Sequence, residues 1–124
     1  MRRYDRAVGA GDALNELEVD PERVQGWLTE KGADVIDVRE PYEHEAGHIA
    51  DTRHVELVDL SAQAQTLPHD RAVVFYCRVG NRSLMATQAL RASGFEAYSM
   101  RGGLQRWAQE GRPMSPEGGY VADH

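Results

Sequence analysis

The sequence predicts an α/β protein: an open, mainly parallel sheet of about five strands with helices on both faces. Strand-like and helix-like stretches alternate along the chain, the pattern of successive βα units. Val35–Val38 and Ala72–Tyr76 are almost continuously apolar, as parallel strands covered on both sides are. No internal repeat, low-complexity block or interdomain linker breaks the series, so a single domain accounts for the 124 residues.

Residues 1–13 carry Gly9, Gly11 and three arginines without any period and read as a flexible lead-in. The predicted domain occupies residues 14–111. Leu17 and Val19 alternate with Glu16 and Glu18, a short half-buried strand. Asp20-Pro21 reads as an N-cap followed by proline at the first helical position. Val24, Trp27 and Leu28 then share one helical face, and Gly32 supplies a C′ stop. After the strand at 35–38 come a short helix from Pro41 to Gly47, a strand over 54–58, and a helix over 60–66 closed by Pro68. The strand at 72–76 runs into a loop, 77–82, and a helix from Ser83 to Ser93 with Leu84, Met85, Ala89 and Ala92 available for a core. Phe95–Met100 is the last strand. Beyond Gly102-Gly103, the residues Leu104, Trp107 and Ala108 repeat at helical spacing. Residues 112–124, with two prolines and two glycines, read as an irregular C-terminal tail.

Composition narrows the function. With 20 acidic against 14 basic residues and a net charge of −6, the chain lacks the basic face that nucleic acid or an anionic membrane rewards. Its longest apolar run, Ala72–Cys77, is far short of the roughly 18 residues of a membrane span. The start shows arginines but no apolar segment behind them, so a cytoplasmic location is expected. One cysteine cannot form an internal disulfide or a Cys-rich zinc site.

Cys77 reads either as a buried apolar filler or as a nucleophile, and its surroundings favour the second. Ligands of open α/β sheets bind beyond the carboxyl ends of the strands, and Cys77 stands where the most apolar strand ends and a helix is about to begin. Loop amides and the first helical N–H groups would point at its sulfur, with the positive end of the helix dipole behind them. Arg78 and Arg82 flank it. Each of these features favours thiolate over thiol. Gly80 permits the backbone twist that gathers successive amides into an anion-binding nest.

The loop CRVGNRS at 77–83 resembles the Cys-x-x-Gly-x-Arg-Ser loop of single-domain rhodaneses. VIDVREPYEHEAGHI at 35–49 and SGFEAYSMRGGLQRW at 93–107 are similar to the same family, in the same order, so the likeness covers roughly residues 16–110. It implies a rhodanese-like fold and a thiosulfate sulfurtransferase activity. Cys77 would attack the outer sulfur of a donor such as thiosulfate, release sulfite and keep the sulfur as a persulfide. Cyanide or a thiol would then accept it by double displacement. The amides from Arg78 through Val79, Gly80, Asn81 and Arg82 to Ser83 would stabilise the persulfide and the developing anion. Arg78 and Arg82 would attract the small anionic donor, and Arg82 would also pin the loop. Asp37 and Arg39 would either line the pocket or form a buried pair that holds the sheet end together. Gly102, Gly103 and Trp107 fit packing better than catalysis. No cofactor or metal is implied. With no second cysteine, the acceptor must be an external thiol or a protein. The sequence departs from the family at Ala50-Asp51-Thr52, where Pro-Gly-Ala is common, and this places substrate specificity in question.

Three other readings compete. Cysteine phosphatases and arsenate reductases share the fold class, but their loops hold one more residue between Cys and Arg than the four between Cys77 and Arg82. The shorter loop suits a single sulfur better than a tetrahedral oxyanion. His44-Glu45-Ala46-Gly47-His48 matches the H-E-x-x-H zinc signature, yet Pro41 and Gly47 leave too little helix to carry both histidines on one face, so a structural role is expected. His54, His69 and His124 show no ligand spacing and are expected at the surface. A non-catalytic rhodanese-like interaction module is the remaining alternative; such modules usually lack the loop cysteine that this chain keeps.

Overall fold

A computed structural model describes residues 16–124, and the predicted lead-in over 1–13 lies outside them. Five strands form one parallel sheet: β1 (Glu18–Val19), β2 (Ala33–Asp37), β3 (Arg53–His54), β4 (Ala72–Tyr76) and β5 (Ala97–Met100), in the order β1-β5-β4-β2-β3. The helices are α1 (Pro21–Glu30), α2 (Pro41–Ala46), α3 (Leu60–Gln63, flanked by 3₁₀ turns at 57–59 and 64–66), α4 (Asn81–Ala92) and α5 (Gly103–Gln109). Every residue of β4 is buried because apolar layers cover both of its faces. On one side Ile36, Val38, Phe75 and Cys77 meet Leu60, Ala86 and Leu90. On the other, Val35, Val74 and Tyr76 meet Val24, Ile49, Leu104 and Trp107. Among the described residues, no helix is long and apolar enough to cross a membrane.

Several boundaries differ from the sequence reading, each for a local reason. Asp20 occupies the N-cap position of α1 but makes no capping bond there; its carboxylate is drawn 2.7 Å from Arg101 and 3.3 Å from Arg106 instead. Lys31, not Gly32, takes the left-handed turn that ends α1. Gly32 is needed for room, since a Cβ there would meet the Trp27 ring at 3.0 Å. The strand expected over 54–58 pairs only at Arg53 and His54, then winds into a 3₁₀ turn at Leu57. Phe95 and Glu96 precede the paired part of β5.

The largest difference concerns α4, which begins at Asn81 instead of Ser83. Gly80, at φ 119°, turns the chain and offers its carbonyl to Leu84 N–H at 3.0 Å. The buried face of α4 is Ser83, Ala86, Thr87 and Leu90, whereas Met85, Ala89 and Ala92 are exposed. Two polar residues can take interior positions because their hydroxyls are bonded. Thr87 Oγ1 donates to the Ser83 carbonyl at 2.8 Å, and Ser83 Oγ lies 2.7 Å from Ser99 Oγ.

Candidate active site

The chain leaves β4 at Cys77 and enters α4 at Asn81, so the loop between them is short and its backbone must curl. The curl closes around the sulfur. Gly80 N–H points at Cys77 Sγ from 3.1 Å and Ser83 N–H from 3.4 Å. The Ser83 hydroxyl, 3.5 Å away, accepts from the thiol. Because α4 starts earlier than the sequence suggests, Asn81, Arg82 and Ser83 form its first turn, where amides have no partner within the helix. The positive end of the helix dipole is therefore directed at the cradle.

A glycine pair holds the loop from the other side. Gly102 and Gly103 have φ of 79° and 62°, and they bring the first turn of α5 onto the backbone of Cys77 and Arg78. Leu104 N–H then donates to the Cys77 carbonyl at 2.8 Å and Gln105 N–H to the Arg78 carbonyl at 3.0 Å. With those carbonyls engaged by α5, the loop turns its amides, not its carbonyls, toward the sulfur. A Cβ on Gly103 would collide with the Arg78 carbonyl oxygen and stand 2.7 Å from that of Cys77.

The two loop arginines have different situations. Arg82 reaches across to α2 and pairs with both oxygens of the buried Glu43, at 2.7 and 3.0 Å. The hydrogen bonds that Arg82 donates to Glu43 raise its guanidinium above the ordinary value. Burial alone would raise the Glu43 carboxyl, but Arg82 and the Glu40 amide outweigh it and hold Glu43 low. Arg78, half-buried, is held by the neutral Gln105 side chain through Nη1 at 3.0 Å, so its charge is not cancelled there. Val79 is exposed at the tip of the loop. Glu43 was not singled out in the sequence. Its signals were its place three residues after Glu40, with which it forms a reciprocal capping box, and the need of Arg82 for a carboxylate.

Asp37 and Arg39 are brought together, but not into the open. Both side chains are wholly buried, and Arg39 grips Asp37 through Nε at 2.9 Å and Nη2 at 2.7 Å. Arg39 also donates to the Gly47 carbonyl, and His44 Nδ1 lies 2.8 Å from the Asp37 carboxylate. With no exposed surface and these contacts made, the pair clamps α2 to the end of β2 and does not line the mouth of the site. Burial opposes the charge of Asp37, yet the bonds from His44 and Arg39 and the charge of Arg39 prevail and bring it down to about 2.

The histidines complete this clamp. The His44 ring stacks between His48 at 3.8 Å and His54 at 4.6 Å, which places half-buried His54 against the clamp and not free at the surface. Helix α2 ends at Ala46, so His48 lies beyond it, paired with Ser115 by an isolated bridge. At the departure from the family pattern, Asp51 adopts a left-handed turn at φ 65°, and the Thr52 hydroxyl bonds the Ile49 carbonyl at 2.6 Å and Tyr76 Oη at 3.0 Å.

Comparisons with known proteins agree with this fold. The family model described as a rhodanese-like domain matches residues 20–110. The chain is 36% identical over 90 residues to the "Thiosulfate sulfurtransferase GlpE" of Pseudomonas fluorescens, covering 72% of this chain and 82% of that protein. It is 32% identical over 113 residues to a "tRNA sulfurtransferase" of Desulfurococcus amylolyticus, 86% of this chain but only 23% of that protein's length. A solved rhodanese-related protein from Thermoplasma volcanium superposes with a TM-score of 0.73 at 30% identity, over 78% of this chain and 95% of that one. The chain belongs to the rhodanese-like domain family.

Proposed function

We propose that this member of the rhodanese-like family is a thiosulfate-type sulfurtransferase that carries sulfur as a Cys77 persulfide. The observation that carries the reading is the cradle, in which two amide N–H groups point at Cys77 Sγ from 3.1 and 3.4 Å and the Ser83 hydroxyl oxygen stands 3.5 Å from it. In the first half-reaction the Cys77 thiolate attacks the outer sulfur of thiosulfate. A new S–S bond forms, the donor's S–S bond breaks, and sulfite leaves with the bonding pair. The persulfide's negative charge then rests among amides fixed in advance by α4 and α5, which need no reorganisation when the charge arrives. In the second half-reaction cyanide or a thiolate attacks that outer sulfur, and the Cys77 thiolate departs restored. Arg78 supplies the cation that draws the anionic donor, and Arg82 pins the loop to α2. Asp37 and Arg39 position α2. Since the sequence has one cysteine, the acceptor is external, a small nucleophile or a protein thiol. The name of the Pseudomonas relative supports thiosulfate as the first donor to test.

The test is thiocyanate formation with thiosulfate and cyanide varied together. Double displacement predicts parallel double-reciprocal lines and no turnover in Cys77→Ala. Absence of thiocyanate from the folded wild-type protein would contradict the choice of thiosulfate, and intersecting lines would contradict the persulfide route.

A further inference from the structure

Behind the cradle lies a hydroxyl with no part in the reaction as written. Ser99 is in β5, wholly buried, and among the described residues its Oγ meets one partner, Ser83 Oγ, at 2.7 Å. Ser83 has one hydroxyl proton, and the Gly80 carbonyl at 3.2 Å is placed to accept it while Oγ accepts from the Cys77 thiol. Either hydroxyl could donate across this contact, but Ser99 has no other acceptor among the described residues while Ser83 has the Gly80 carbonyl, so giving the shared proton to Ser99 leaves neither hydroxyl proton unpaired.

We infer that Ser99 is a positioning residue that keeps Ser83 free to donate to the reacting sulfur. This rests on the reading of Cys77 as the nucleophile. In the thiol state Ser83 accepts from Ser99 and from the S–H, and donates to Gly80. When the thiol proton is lost to bulk water, Sγ becomes an acceptor, and the Ser83 hydroxyl rotates from the Gly80 carbonyl to the sulfur. The Gly80 carbonyl is not left unpaired, because Leu84 N–H holds it at 3.0 Å. Ser99 donates to Ser83 throughout. Without it, Ser83 loses the bond that fixes its oxygen and polarises its O–H toward the anion. Of the charged groups around this sulfur, Arg82 on α4 is in electrostatic reach of Cys77, Glu43 of α2 and Asp37 of β2 interact with Arg82 in turn, and Arg78 follows Cys77 in the loop, held by Gln105. None of them touches Ser99, so its removal is read against a fixed electrostatic background.

The experiment is the rate of Cys77 alkylation by iodoacetamide across pH in the wild type, Ser99→Ala, Ser83→Ala and the double variant. Each protein is first confirmed folded by circular dichroism. One lost hydrogen bond predicts that Ser99→Ala alkylates about fivefold more slowly at about pH 6, relative to its own alkaline plateau, than the wild type. In the Ser83→Ala background the same change has no further effect, because Ser99 acts only through Ser83. A Ser99→Ala profile that superimposes on the wild type overturns the proposal, and so does an equal displacement in both backgrounds. Alkylation needs no sulfur donor. A displaced profile in a protein that takes up no sulfur would therefore retain the relay and discard sulfur transfer, and the converse pattern would do the opposite.

Discussion

Asp37 is held between Arg39 and His44 beside the site, and its charge there is the feature that acid would test. Its carboxyl falls from the ordinary 3.8 to about 2, because His44 and Arg39 overcome the cost of burial. A carboxylate depressed in the folded state stabilises the protein above its unfolded value and loses that contribution as pH falls through the folded value. The window is therefore about pH 4 down to pH 2, and the contribution is of order 2 kcal/mol. We expect the stability difference between the wild type and Asp37→Asn, measured by urea denaturation, to shrink steadily across that window. A difference that stays constant from pH 5 to pH 2 would mean that the clamp does not depend on the charge of Asp37.

At the scale of elements, α5 shapes the loop that α4 completes. Gly103 is the contact point, where the carbonyls of Arg78 and Cys77 leave no space for a side chain and φ is 62°. Gly103→Ala must either push the loop away or distort the start of α5, at a cost of about 2 kcal/mol or more. Persulfide formation should fall steeply in that variant even at temperatures where circular dichroism shows it folded. Gly94→Ala, at φ 93° with open space around it, should lose stability alone. Equal activity losses in the two variants would remove α5 from the account. These elements also show how far the sequence could be read. The Cys77 loop, both arginines and the βα alternation were legible, since apolar runs and glycines mark them directly. The start of α4 was not, because Gly80 caps the helix by its backbone turn and leaves no side-chain signal. Nor was its buried face: Ser83 and Thr87 look like surface residues until Ser99 and the Ser83 carbonyl are seen to satisfy them. Glu43 was hidden likewise, since a carboxylate's partner 39 positions away is set by topology and not by spacing.

Across the whole molecule, the sheet order brings the ends of β2 and β4 side by side, and three separate segments converge there. Helix α4 supplies amides, α5 supports the loop and α2 anchors Arg82. The irregular stretch after α5 closes the arrangement. Ser115 pairs with His48, Tyr120 N–H donates to the Ala46 carbonyl, and Tyr42 Oη donates to the Asp123 carbonyl, so residues expected as a tail lie along α2. Gly47 is where they cross, since a Cβ there would stand 2.6 Å from Tyr120 N. All of this framework converges on one sulfur. The most direct measurement is the intact mass of the protein after incubation with thiosulfate, beside Cys77→Ser. A gain of one sulfur atom, reversed by cyanide and absent from the variant, is the predicted result. A folded wild-type protein with a titratable thiol and no added sulfur, or a gain that persists in Cys77→Ser, would contradict it.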